Sequence, residues 1–181
     1  MADPIALWHA EHRYFGRLLA LLQKQLDVFH AGEQPNYELM LDIISYLRDY
    51  TDRVHHPRED VAFARLAKHR PDLDLVLERL KQEHRVIAHS GETLRQLLEA
   101  ILAGTITSRA DVEAAAATYL VYYNNHIAKE EADILNRAEF SLTEEDWREV
   151  ARAVPALHDP LGDASAEPRF RELRKQLALA A

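Results

Sequence analysis

The sequence predicts an all-α protein: an antiparallel, up-down four-helix bundle with a short C-terminal helical appendage. Apolar residues recur at alternating steps of three and four over four long segments, the period of one buried helical stripe. The connections between those segments are short, so each returns the chain alongside the segment before it. Five glycines and seven prolines in 181 residues are too few for an all-β sandwich or barrel, which needs a turn about every 8–12 residues.

The first stripe is Ile5, Trp8, His12, Phe15, Leu19, Leu22 and Leu26, which sets a helix from about Asp3 to His30. The segment AGEQPN then breaks the pattern with Gly and Pro. Met40, Ile44, Leu47, Thr51, His55, Ala62 and Leu66 carry a second stripe to about Lys68. Pro57 falls inside it and deletes one backbone donor, so the helix is expected to bend near His55 rather than end. After Pro71 the residues Leu73, Leu77, Leu80, His84, Ile87, Gly91, Leu94, Leu98 and Ile101 form a third stripe, closed near Gly104. Ser108 is the expected N-cap of a fourth helix that runs to about Ala138. SLTEEDWREVARAV reads as a short fifth helix capped by Ser141 or Thr143, PALHDPLGDASAEP as a loop, and RFRELRKQLALA as a last short helix. The expected organisation is a bundle over residues 1–140 with an appendage over 141–181 packed on it. Trp147 is the expected anchor, because a buried aromatic removes a large area from water.

Composition excludes several functions. Lys and Arg number 22 against 30 Asp and Glu, a formal charge of −8, and no basic cluster is long enough to neutralise a phosphate track. Nucleic acid is therefore excluded as a partner, and an anionic membrane surface is disfavoured likewise. The absence of cysteine removes disulfides, thiolate nucleophiles, Cys-zinc sites and Cys-ligated iron–sulfur clusters. The start, MADPIALWHAEH, has no basic or long apolar run, and no stretch approaches the roughly 18 apolar residues of a membrane span. A cytoplasmic protein is expected.

Ten histidines remain, and they are not scattered. His12 and His84 lie on the first and third stripes, each within Glu-His-Arg. His55 and His126 lie on the second and fourth helices, each followed four residues later by a glutamate, Glu59 and Glu130. A step of four leaves two side chains about 40° apart on one helix face, so each pair can grip one point. The separations repeat, 43 residues from His12 to His55 and 42 from His84 to His126. This looks like a duplicated helix pair, with Glu-His-Arg on its first helix and His-xxx-Glu plus a further acid (Asp60, Glu131) on its second. Burying four imidazoles and two carboxylates around one axis without a cation would leave many polar groups unsatisfied, at several kcal/mol per unpaired carboxylate. Four imidazoles and two bridging carboxylates supply about eight bonds, which suits two ions; a single octahedral centre takes about six. Imidazole and carboxylate without thiolate suit iron, with manganese, zinc and copper as less selective alternatives.

The segments AEHRYFGRLL, VHHPREDVAF, QEHRVIAHSGETL and NHIAKEEADIL together resemble the hemerythrin-like family, whose domains carry a His-His-Glu cation-binding signature, over residues 3–138. The resemblance implies a bundle around two non-haem irons, oxo- or hydroxo-bridged, with His12, His55, Glu59, His84, His126 and Glu130 as ligands and the two glutamates as bridges. Members bind dioxygen reversibly, sense oxygen, iron or redox state, or handle nitric oxide and peroxide. The expected function is binding of dioxygen or a related small oxidant in a sensing or protective role, as a binding protein rather than an enzyme. A di-iron peroxidase or catalase is one alternative. A metal-responsive interaction module, read by a protein partner or a second copy of the chain, is another.

Oxygen-carrying members have a fifth histidine four residues after the first on the third helix. Here that position is Ala88, and His89 lies about 140° around the helix from His84. His56 is the candidate for the missing ligand, and His56 with Asp60 is also a competing register on the second helix; His55 with Glu59 is preferred because it lies on the apolar stripe. His9, one turn before His12, is a candidate supporting or substitute ligand. His30, His69 and His158 are expected in water. Tyr119, Tyr122 and Tyr123 form a cluster before His126 whose simplest role is packing. Glu11 and Glu83 are candidates for orienting ligands, and Arg13 and Arg85 are expected in water or in salt bridges between helices.

Overall fold

In a computed structural model, described for residues 4–154, 159 and 168–179, the first helix, α1 (Pro4–His30), stops where Gly32 turns to φ 80°. That left-handed conformation clashes with any Cβ, and glycine has none. α2 (Tyr37–Tyr46) starts at Asn36, whose side chain accepts from the Leu39 N–H at 2.9 Å. It runs without a break into a π-helical segment (Leu47–His55) and on into α3 (His56–His69). The interruption expected at Pro57 takes the form of a change of helix type upstream of it. The wider turn, in which the His56 N–H reaches back five residues to the Thr51 carbonyl, accommodates a ring that lacks a donor and crowds the carbonyl four residues before it.

A single 3-10 turn (Pro71–Leu73) leads into α4 (Asp74–Leu102), which closes at Gly104 with φ 78°. Ser108 caps α5 (Arg109–Lys129) by accepting from the Asp111 N–H. A second π segment (Glu130–Ile134) and α6 (Leu135–Ser141) continue the same run past the expected end at Ala138. Thr143, rather than Ser141, caps α7 (Glu144–Ala153), in a reciprocal box with Asp146. α8 (Pro168–Leu179) is the last helix. All regular structure among the described residues is helical, and none of these helices is long and apolar enough to cross a membrane.

The predicted stripes are the core. Every residue of the first two is buried, as is the third except for Ile101, which is half-buried. The buried apolar side chains form two clusters. One gathers Phe15, Leu22, Ile44, Ile87, Leu94 and Tyr119; the other gathers Trp8, Phe63, Leu66, Leu77, Leu80 and Ile134. Along each long helix the histidines and glutamates of the sequence motifs fall between members of the two clusters, so a polar layer is held between apolar ones. Each buried Leu or Phe contributes about 1.5–3 kcal/mol, and these layers fix the helices that carry the polar groups.

α7 lies against α3. The Trp147 ring, half-buried, meets Trp8 edge-on with centroids 5.4 Å apart, and Val150 is buried beneath it. His69, expected in water, is exposed but pairs with Asp146 at 2.9 Å. α8 packs on α1 and α2 through Phe170, Leu173 and Leu177, with Arg17 donating to the Leu177 carbonyl at 2.6 Å. The expectation for His158 and most of the loop around it lies outside the described residues; within that loop Asp159 accepts from the Tyr46 hydroxyl at 3.0 Å.

α4 and α5 meet closely at Gly91, where an added Cβ would stand 2.8 Å from Cε2 of the buried Tyr119. Overpacking costs about 1–3 kcal/mol and alanine's helix propensity returns about 1 kcal/mol. Gly91→Ala is therefore expected to destabilise the chain by up to about 2 kcal/mol in chemical denaturation. An unchanged or raised midpoint would show that Tyr119 yields freely.

Candidate metal centre

The two π segments bracket the polar layer, one ending on His55 and the other beginning on Glu130. π turns recur at functional sites because they re-aim side chains without ending the helix. Here the wider turn lets two consecutive residues, His55 and His56, both face inward, 1% and 4% exposed.

Four imidazole nitrogens meet in two pairs. His12 Nε2 lies 3.0 Å from His55 Nε2, and His84 Nε2 lies 2.9 Å from His126 Nε2. Two carboxylates with no exposure span the pairs. Glu59 places Oε1 at 3.0 Å from His55 and 3.3 Å from His12, and Oε2 at 3.4 Å from His84. Glu130 places Oε1 at 3.1 Å from His126 and Oε2 at 3.5 Å from His12. The His56 ring stacks on His84, centroids 4.2 Å apart and 13° from parallel. Ligand atoms of His56, Glu59, His84 and His126 lie within 4.8 Å of one another, as do those of His12, His55 and Glu59. Glu59 belongs to both groups.

Short as these contacts are, none of the four carboxylate oxygens of Glu59 and Glu130, nor His56 Nε2, has a hydrogen-bond partner. The atoms are close but not aimed at one another's protons; their lone pairs converge on the space between them. Such orphaned buried groups cost several kcal/mol each unless a cation satisfies them.

The opposite edges of the rings are held by a second set of carboxylates, each from a different helical run. His55 Nδ1–H donates to Glu11 at 2.7 Å, His84 to Asp60 at 2.9 Å, His126 to Glu83 at 3.4 Å and His12 to Glu131 at 2.8 Å. A carboxylate only accepts, so each Nδ1 carries the proton and each neutral ring keeps its Nε2 lone pair for the centre. The four bonds form a cycle: α1 holds a histidine of the second run, the second run one of α4, α4 one of α5, and the α5 run one of α1. This follows the duplication in the sequence, with Glu11 equivalent to Glu83 and Asp60 to Glu131. The Tyr50 hydroxyl donates to Glu11 at 2.7 Å and fixes it in turn.

Electrostatics favour positive charge here. Burial opposes a charged His12, but Glu59, Glu130 and Glu131 outweigh it and push its pKa up to about 9. Burial likewise opposes a charged His84, and Asp60, Glu59 and Glu130 bring it to about 10. His56 moves the other way, well below the usual range, through burial and the positive charge of His84. Protons and metal ions compete for the same nitrogens.

The structure thus brings together His12, His55, His56, Glu59, His84, His126 and Glu130. It leaves out His89, which is exposed, and His9, which bonds to Glu131 at 2.7 Å outside the cluster. Of the three tyrosines, Tyr119 and Tyr123 are buried while Tyr122 is 41% exposed. Sequence reasoning missed Asp52, whose Oδ1 lies 3.4 Å from His56 Nδ1; its signal was the same i, i+4 spacing that marked the other pairs.

A helical domain with a buried histidine–carboxylate cluster of this kind is a cation-binding protein. A family model described as hemerythrin HHE cation binding domain matches residues 3–138, and the chain belongs to that family. Neither the comparison with curated proteins nor that with solved structures found a match.

Proposed function

We propose that this chain is an antiparallel four-helix bundle over residues 1–140 that holds two iron ions, oxo- or hydroxo-bridged, and binds dioxygen or a related small oxidant such as nitric oxide or peroxide in a sensing or protective role. The observation that carries this reading is the pair of fully buried carboxylates, Glu59 and Glu130, each with two unpartnered oxygens facing imidazoles from different helices. His12 and His55 would hold one ion, and His84, His126 and His56 the other, with both glutamates as bridges. Five imidazoles and two bridging carboxylates make about nine bonds, and a shared oxygen bridge about two more, of the roughly twelve that two octahedral ions take. One open position is left for a ligand. Nitrogen and oxygen donors without thiolate suit iron, which when bound supplies one-electron chemistry and that open position.

The protein's own groups do the rest. Glu11, Asp60, Glu83 and Glu131 hold the Nδ1 protons, so the rings cannot rotate out of register. Phe15, Phe63, Trp8 and Tyr123 keep bulk water from the layer. Histidines outnumber carboxylates in the ligand set, which keeps the centre less negative and favours a reduced pair and reversible binding.

Anaerobic iron loading followed by air tests this. The expected result is oxo-bridge charge-transfer absorption in the near ultraviolet at two irons per chain; a stoichiometrically loaded protein without that absorption contradicts it. Sustained peroxide turnover abolished by His84→Ala would move the reading to a peroxidase or catalase.

A further inference from the structure

The four carboxylates on the outer edges of the rings are not equally held. Glu11 is fixed by the Tyr50 hydroxyl at 2.7 Å, and its equivalent in the repeat, Glu83, by Lys129 and by Arg79 at 3.3 Å. Asp60 and Glu131 reach the surface, their side chains 44% and 34% exposed. Among the described residues the Asp60 side chain has His84 alone as a hydrogen-bond partner. Glu131 is gripped at both oxygens: His12 Nδ1–H donates to Oε1 at 2.8 Å and His9 Nδ1–H to Oε2 at 2.7 Å. A carboxylate in reach of water gives up a single partner at little cost, whereas a second bond at its other oxygen fixes its plane.

This support is one-sided. His9 precedes His12 by three residues, about 60° around α1, so both rings reach the segment that begins at Glu130. The equivalent of His9 in the repeat is Lys81, three residues before His84, and it pairs with Glu78 rather than with Asp60. The added bond falls on the ion with fewer ligands. In the ligand count above, His84, His126 and His56 with the bridges fill one ion, and the open position belongs to the ion of His12 and His55. With two imidazoles rather than three, that ion depends more on the aim of each. His12 is faced on both edges by consecutive residues, Glu130 at 3.5 Å from Nε2 and Glu131 at Nδ1.

We propose that His9 is a positioning residue for the His12–His55 ion: it does not ligate, but by holding Glu131 it fixes the His12 ring and so retains the ion that carries the open position. The inference rests on the metal centre proposed above and makes retention of its two ions unequal, since the His9 link acts on one of them. The His9 side chain is 31% exposed, so it can be replaced without opening a cavity in the core.

The test is anaerobic calorimetric titration of the metal-free chain with ferrous iron, which reads two affinities. Losing the outer partner of a ligating histidine costs about 10–100-fold in metal affinity, and His9 stands one bond further out, so His9→Leu is expected to weaken one ion by about tenfold and leave the other unchanged. The melting temperature of the metal-free chain is expected to stay close to that of the wild type. His9→Asn, which sets an amide N–H where the Nδ1–H stood, is expected to restore the affinity. Glu131→Leu should weaken the same ion, and adding His9→Leu to it should cost nothing more, because His9 acts through Glu131. Unchanged affinities in His9→Leu, an equal loss at both ions, no rescue by His9→Asn, or full additivity with Glu131→Leu overturns the assignment. A wild-type chain that takes up no iron overturns the function proposed above and this inference with it, whereas one that holds two ions regardless of His9 overturns this inference alone.

Discussion

Stripping metal from the loaded protein is expected to lower its melting temperature by about 15–30 °C. An ion that binds only the folded chain stabilises it by RT ln(1 + [L]/Kd), about 4 kcal/mol at a free concentration a thousand times Kd, so two ions give about 8 kcal/mol. For a chain of this size each kcal/mol moves the midpoint by about 2–4 °C. The structural reason for so large a dependence is local. Glu59 and Glu130 are fully buried with their oxygens unpartnered, and five imidazoles face them. Calorimetry of the loaded protein with and without a chelator reads the shift directly; near-equal midpoints would mean that protons alone satisfy the layer.

Glu59→Leu is expected to cost both metal and stability, and the two effects can be read separately. Glu59 reaches His12, His55 and His84 and is common to both ligand groups. Its loss should reduce the metal content from two ions to at most one. In metal-free protein the same substitution removes one partner of a buried ion pair and leaves His12, His55 and His84 without a counter-charge, which costs about 3–5 kcal/mol. Elemental analysis and denaturant melts on one preparation give both numbers. A variant that keeps two ions would show that Glu59 serves the fold rather than a cation, and unchanged stability without metal would show that the histidines around it do not depend on its charge.

Much of this was legible beforehand because helical period is a strong signal. The stripes through Trp8, His12 and Phe15 and through Leu80, His84 and Ile87 identify both the core and the histidines that share it. Glycine at 32 and 104 and the caps at Ser108 and Thr143 mark helix ends for local reasons that need no tertiary information. His56 was harder, since in a regular α-helix it stands 100° from His55 and off the stripe. Only the π turn ahead of Pro57 brings both inward, and a change of helix type depends on packing that the sequence does not display. The Glu-His-Arg repeats point to Glu11 and Glu83 as orienting groups, but not that each serves a histidine on another helix; that pairing depends on how neighbouring helices are rotated.

The central claim is that the seven side chains brought together here enclose two cations. Crystals of iron-loaded protein, measured at the iron absorption edge, test it most directly. The account predicts two anomalous peaks about 3.5–4 Å apart, the spacing of shared-ligand metal pairs, with Glu59 and Glu130 between them and His56 on the same ion as His84. A single peak, or peaks away from these residues, would contradict it.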